Sequence, residues 1–401
     1  MRFLYADFES RAAVDPFEVG LYNYIQASEP LFLWWALDNQ TPRCWRLWED
    51  PLVIDSELMN ALLDPSVNIV AFNSAFERYM FRKIGWDLPT SRFLWDPQVG
   101  GRYLSLPASL SVQGEVLDLP HHLRKDKRGD ALIGLFCHPV VTKPTKKNPT
   151  PLAPYYNDWV SHPKEWQEFL DYGKSDILAE RELLRRMQVL GAMPLPPFEQ
   201  RLWLFDQKVN DRGMPVDKPY VEKMYRMALR AKAEAKADFE AFTGVKNANS
   251  PTQVKAWAKT QGYPLKTLKK DAVTSVLKDP VIKLTDACRK ALEMRGEAAS
   301  TSYQKLGAIL ANISPDGRLR NQFIFLGSSR CGRWSGNAVQ LHNLARPLVV
   351  GGYDFEDQKV VKEAREFVYR EDFEGMKAKY GSVLLVIKSL IRTVFVAEVA
   401  Q

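Results

Sequence analysis

The seven residues Gly-Ala-Met-Pro-Leu-Pro-Pro at 191–197 limit this chain more than any others. A glycine followed by three prolines stops a helix, and the long helical stretch 162–190 runs straight into them. The chain has 401 residues, beyond the size at which one hydrophobic core stops growing, so the break separates two domains, 1–193 and 194–401. A hydrophobic content of 46% with 11 tryptophans supplies both cores and excludes a disordered chain.

Before the break the chain opens as strands. "RFLYADFE", "PLFLWWALD" and "RCWRLW" are rich in aromatic and branched residues and separated by turn-formers, which predicts an antiparallel meander. "VNIVAF" reads as a buried strand leading into a helix on which Phe76, Met80 and Ile84 recur at helical spacing. "PASLSVQGEVLDL" and "GDALIGLFC" read as short helices, and "VTKPTKKNPTPLAP" as a surface loop.

After the break the pattern is mostly helical. A polar-faced helix from Lys218 closes at Gly244, Ser250-Pro251 opens another, and a long helix is expected over 280–313. "GRLRNQFIFLGSSRCGRWSG" has the strand, turn and strand character of a hairpin. No internal repeat is visible.

Four scattered cysteines, Cys44, Cys137, Cys288 and Cys331, form no C-x-x-C pair, so neither a disulfide framework nor a zinc knuckle is indicated. No apolar run reaches membrane-spanning length and no signal peptide is evident; a soluble intracellular protein is expected. The net charge of +7 favours a polyanionic partner.

Asp7 and Glu9 alternate along the first strand and so share one of its faces. Asn73 and Glu77 sit four apart where a strand passes into a helix, and Tyr172 and Asp176 sit four apart on a later helix. Four carboxylates and a phenol can therefore meet in one cleft. Two divalent ions acting on a phosphodiester need oxygen ligands, and the attacking water needs a group to orient it. Asp7, Glu9, Glu77 and Asp176 suit the first need, and Tyr172 suits the second.

In this order the three pairs resemble the motifs of the DEDD exonucleases in their tyrosine variant, on a ribonuclease H-like α/β fold. The resemblance implies a two-ion 3'-to-5' exonuclease with Mg2+ or Mn2+. Asp7 would bridge both ions, Glu9 and Asp176 would complete the first site, and Glu77 would serve the second. Tyr172 would position the water. One departure stands out: the second motif usually ends in Asp, whereas Glu77 stands here, although "AFNSAFER" resembles some phage polymerases of this kind.

"NDRGMPVD" at 210–217, "SPTQVKAW" at 250–257, "ALEMRGEAASTSYQKL" at 291–306 and "CGRWSGNAVQLHNLARP" at 331–347 resemble family A DNA polymerases, especially their phage branch. The resemblance covers nearly the whole chain. It implies a proofreading exonuclease followed by a mostly α-helical thumb and incomplete palm, acting on DNA in the cytoplasm of a phage's bacterial host. Asn73, Arg333, Asn343 and Arg346 would contact DNA, with Ser328, Ser329 and Gly332 letting the backbone approach phosphate. A lysine-rich run including Lys259, Lys266, Lys269, Lys270, Lys278 and Lys283 would neutralise duplex phosphates.

The polymerase pattern stops ahead of the first palm aspartate, so no polymerisation is expected from this chain alone. "VLLVIKSLIRTVFVAEVA" is then expected to dock on a second polypeptide carrying palm and fingers, or on another copy. Two other readings follow from the same residues: a non-catalytic DNA-binding scaffold, and an independent nuclease for RNA ends.

Overall fold

The computed structural model describes residues 1–124, 128–142, 153–263, 267–279 and 284–397. The chain is a mixed α/β protein in two compact units: Met1–Met214 with Ser314–His342, and Pro215–Ile313 with Asn343–Gln401. The boundary expected near residue 193 therefore falls inside the first unit. The hairpin stretch, expected with the second region, packs with the first.

The first unit is built on strands β1 (Arg2–Arg11), β2 (Glu29–Leu37), β3 (Arg43–Trp45) and β4 (Val67–Val70), in the order β3-β2-β1-β4. The first three pair antiparallel as the sequence predicts, and β4 runs parallel to β1. Between β1 and β2 the chain forms two short helices, α1 (Pro16–Val19) and α2 (Leu21–Ala27), which the strand pattern does not announce. Around the sheet lie α3 (Ser56–Leu63), α4 (Ala75–Lys83), α5 (Pro97–Tyr103), α6 (Leu110–Val116), α7 (Arg128–Phe136), α8 (Pro163–Val189) and α9 (Pro197–Arg212). Proline at the first position of α8 fits because its missing N–H would find no partner there in any case. The buried face of α8 carries Leu183, Leu184 and Met187 into a core shared with Leu4, Ile69 and Trp35. A second apolar cluster joins Phe32 on β2, Phe136 on α7, and Trp166 and Phe169 on α8.

Strand β5 (Met214–Pro215) lies at the division between the units, and β6 (Arg318–Leu319) follows in the first. Strands β7 (Phe323–Ile324) and β8 (Ser335–Gly336) then form the expected hairpin.

The second unit contains α10 (Lys218–Thr243), α11 (Pro251–Thr260), α12 (Lys270–Lys278), α13 (Asp286–Ala298), α14 (Gln304–Asn312), the small pair β9 (Val349–Val350) and β10 (Tyr353–Asp354), then α15 (Gln358–Arg370), α16 (Phe373–Tyr380) and α17 (Val383–Leu390). Helix α10 ends where Gly244 adopts φ +72°, as its glycine signals. The long helix expected over 280–313 is two helices, interrupted at Ser300-Thr301-Ser302, where the Ser300 and Ser302 hydroxyls hydrogen-bond each other at 3.0 Å.

The apolar tail is a further correction. Val383, Leu384, Val386, Ile387, Leu390, Ile391 and Val394 are all buried in the second unit, and α17 packs on α10. A helical apolar face has found its partner within its own chain, which removes the reason for expecting this stretch to cover a second polypeptide. Most of the loop "VTKPTKKNPTPLAP", Lys266 and Lys283 fall outside the described residues.

Candidate functional site

Asp7 and Glu9 stand opposite Trp34 and Phe32 in the β1–β2 ladder, and both are half-buried. The register shifts immediately after Glu9, so the two carboxylates sit at the end of the regular pairing. Beside β1, the parallel strand β4 ends at Val70, and the chain turns through Phe72 and Asn73 into α4. Asn73 takes the left-handed conformation at φ +71°. Its N–H and that of Ser74 donate to the Asp96 carboxylate at 3.2 and 2.9 Å. Asp96 also accepts the Gln98 N–H at 2.8 Å, capping α5, so one buried side chain holds both a helix start and the turn.

That turn delivers Glu77 to the first turn of α4, where it is 2% exposed. A carboxylate is favoured at a helix N-terminus, yet burial and the neighbouring Asp7 push its pKa well above the ordinary range. Hydrogen bonding to the Phe8 backbone offsets this only in part, and Glu77 Oε2 has no hydrogen-bond partner among the described residues.

Helix α8 brings the remaining groups. Tyr172 and Asp176 are buried one turn apart, and the phenol hydrogen-bonds the Asp176 carboxylate. Burial, then Asp176, Glu9 and Asp7, drive the Tyr172 pKa far above that of a free phenol, so the hydroxyl keeps its proton. Its ring stacks on Phe169 with centroids 6.5 Å apart and planes 14° from parallel. Two glycines let neighbours close on this helix. A Cβ on Gly129 of α7 would lie 2.2 Å from Cε2 of Tyr172, and one on Gly173 would lie 2.7 Å from Cδ1 of Trp34.

One further carboxylate escapes the sequence reading. Glu180 lies one turn beyond Asp176 on the same face of α8 and is 1% exposed. Its Oε1 accepts the Phe72 N–H at 3.0 Å, tying α8 to the turn before Asn73, while Oε2 is buried without a hydrogen-bond partner among the described residues. Burial, Asp7 and Glu77 raise its pKa well above the usual range. Continuing the four-residue spacing from Tyr172 through Asp176 would have found it.

Asp7 is the common neighbour: its charge acts on Glu77, on Tyr172 together with Asp176 and Glu9, and on Glu180 together with Glu77 and Asp176. The leading charges acting on both Glu77 and Glu180 are other carboxylates. Among the described residues, no three His, Cys, Asp or Glu side chains are gathered tightly enough to hold a metal ion. The expected ligands are neighbours rather than a closed shell, as mutually repelling carboxylates would be.

Two cavities flank the group. One of about 710 Å³ is lined by Glu9, Asn73, Asp96 and, from the hairpin region, Phe325. The other, of about 910 Å³, is lined by Tyr172, Asp176, His121, His122, Arg124 and Arg128. Arg333 belongs to the first unit, whereas Asn343 and Arg346 belong to the second.

No established family profile matches the chain. It is 30% identical over 400 residues to a DNA polymerase of Bacillus phage SP02, an alignment covering 99% of this chain and 58% of that polymerase. The chain is similar to this phage DNA polymerase along nearly all of its own length, and it spans a little over half the length of this relative. Among solved structures, the POL domain of Pol1 from M. smegmatis, in complex with DNA primer-template and dNTP, matches with a TM-score of 0.47 and 15% identity over 86% of this chain and 52% of that one. A likeness that distant carries no further argument.

Proposed function

We propose that the first unit is a 3'-to-5' exonuclease on a ribonuclease H-like fold, the proofreading part of a DNA polymerase. The observation that carries this reading is the convergence of Asp7, Glu77, Asp176 and Glu180 beside a protonated phenol, the leading charges acting on Glu77 and Glu180 being other carboxylates. Buried like charges are costly unless something positive joins them.

The donor set fits hard divalent ions, because every candidate ligand is a carboxylate and Glu77 has an oxygen to offer. Asp7, Glu9, Glu77 and Asp176 would hold Mg2+ or Mn2+ once their side chains draw in. Ions so bound supply Lewis acidity and a more acidic water. Tyr172, which burial and the neighbouring carboxylates keep protonated, would orient the attacking water through its hydroxyl. Asp176 accepts a hydrogen bond from the Tyr172 hydroxyl and fixes its direction. Asn73 and the flanking cavity receive the strand end, which must be frayed, since a paired terminus does not reach a recessed cleft. The second unit is read as thumb and partial palm, with its Asn343 and Arg346, and Arg333 of the first unit, approaching the primer-template.

The test is a 5'-labelled primer-template with a mismatched 3' end, incubated with the chain and Mg2+, beside EDTA and Asp7→Ala controls. Stepwise shortening lost in both controls is expected. Intact primer in both Mg2+ and Mn2+ would overturn the reading in favour of a non-catalytic scaffold.

A further inference from the structure

Helix α9 has two faces of different chemistry. Inward, Trp203, Asp206, Gln207 and Asn210 are buried and line the cavity that also holds Glu9 and Asn73. Outward, Phe198, Arg201, Phe205, Lys208 and Arg212 follow one another at intervals of three and four residues, and all are exposed. That spacing sets them in a single stripe along the helix, about 21 Å from first to last at 1.5 Å per residue. An outward face of charge alone would be unremarkable. Phenylalanines exposed by 59% and 55% in the same row are not.

The hairpin extends the stripe. Trp334, 45% exposed, has its ring 6.5 Å from that of Phe205 and 6.4 Å from that of Phe325. Phe325 lines the cavity, so Trp334 marks its edge. Arg330 and Arg333 are exposed on the same hairpin. Among the described residues, none of Arg201, Lys208, Arg212, Arg330 or Arg333 enters an ion pair. Acidic partners are abundant elsewhere on the molecule, so these cations are notable for standing unneutralised beside exposed rings.

We propose that this stripe is a binding track for single-stranded DNA, leading along α9 and over Trp334 into the cavity beside Glu9. Rings that alternate with cations match a strand whose bases need stacking partners and whose phosphates need positive charge. The track takes the strand without reading its sequence, since every base has a face to stack. The proposal rests on the exonuclease reading for its substrate, but not for its measurement.

The measurement is fluorescence anisotropy of labelled oligo(dT) with the full chain carrying Asp7→Ala, which prevents digestion. The triple variant Phe198→Ala, Phe205→Ala and Trp334→Ala is expected to weaken binding by about tenfold or more, since stacking is worth about 1–3 kcal/mol per base. Trp334→Tyr should restore much of the loss. A second triple variant, Arg201→Ala, Lys208→Ala and Arg212→Ala, should flatten the plot of log affinity against log salt by about 2, at about 0.7 per phosphate contact. All these side chains are exposed, so folding should survive, which circular dichroism checks. Unchanged affinity and salt slope in both variants would overturn the track. So would unchanged DNA binding together with a change in self-association, which would make the face a protein contact. Failure of the exonuclease reading appears instead as intact primer in the shortening assay, whatever the anisotropy reports.

Discussion

Charged groups are handled in opposite ways in the two units. On the surface of α10 charges of opposite sign meet: Arg230 bonds both Glu234 and Glu374, Lys377 bonds Glu234 at 2.8 Å, and Arg226 pairs with Glu371 at 2.8 Å. Around β1 and α8 the acids have found one another. Glu77 and Glu180 are nearly inaccessible, and their closest electrostatic company is carboxylate. Exposed pairs in water contribute little to stability and are freely made. A buried group of like charges works against folding, so its retention points to a ligand rather than to the fold.

The largest effect expected from breaking this contrast is on chemistry. Asp7→Ala should lower the shortening rate more than a hundredfold, the loss of several kcal/mol of transition-state stabilisation, while the melting temperature of the metal-free protein holds or rises. A fall in both would make Asp7 a structural residue. Next, Gly129→Ala sets a methyl group against the Tyr172 ring; a shift on the order of 1 Å should cost roughly a hundredfold in rate with DNA affinity kept. Wild-type turnover in that variant would show that the position of Tyr172 does not matter.

A smaller effect is one of pH. The folded-state pKa values of Glu77 and Glu180 lie above the unfolded values near 4.5, so their contribution to stability is present at low pH and is lost as pH rises through the raised values. In EDTA, melting should fall from pH 5 towards pH 8, and Glu180→Gln, which keeps the acceptor for the Phe72 N–H, should flatten that fall and gain a few degrees at pH 8. An identical pH profile in parent and variant would remove Glu180 from the charged group. Smallest of all, Arg230→Ala in the paired network should leave the melting temperature within about 1 °C of the parent, because exposed pairs are screened. A drop of many degrees there would erase the contrast between the units.

Much of the carboxylate group is legible in the sequence because it depends on two local periods. Alternation along a strand puts Asp7 with Glu9, and a spacing of four puts Tyr172 with Asp176. The same rule carried one turn further reaches Glu180, so that residue was present in the pattern and passed over. Asp96 and Gly129 offer no such signal. One acts by bonding a turn more than twenty positions away in the chain, the other by having no side chain where Tyr172 passes.

The sequence by itself determined the antiparallel meander, the end of α8 at its glycine and prolines, the hairpin, and the three acidic motifs with their order. Each of these is set by neighbours a few residues apart, through side-chain period, backbone φ or a missing N–H. Only the tertiary structure decided that the hairpin joins the first unit, that the apolar tail is buried on α10 instead of awaiting another chain, and that α9 turns a row of rings and cations outward. Those outcomes depend on which apolar surface meets which, and burial is a property of the packed chain that no local stretch contains.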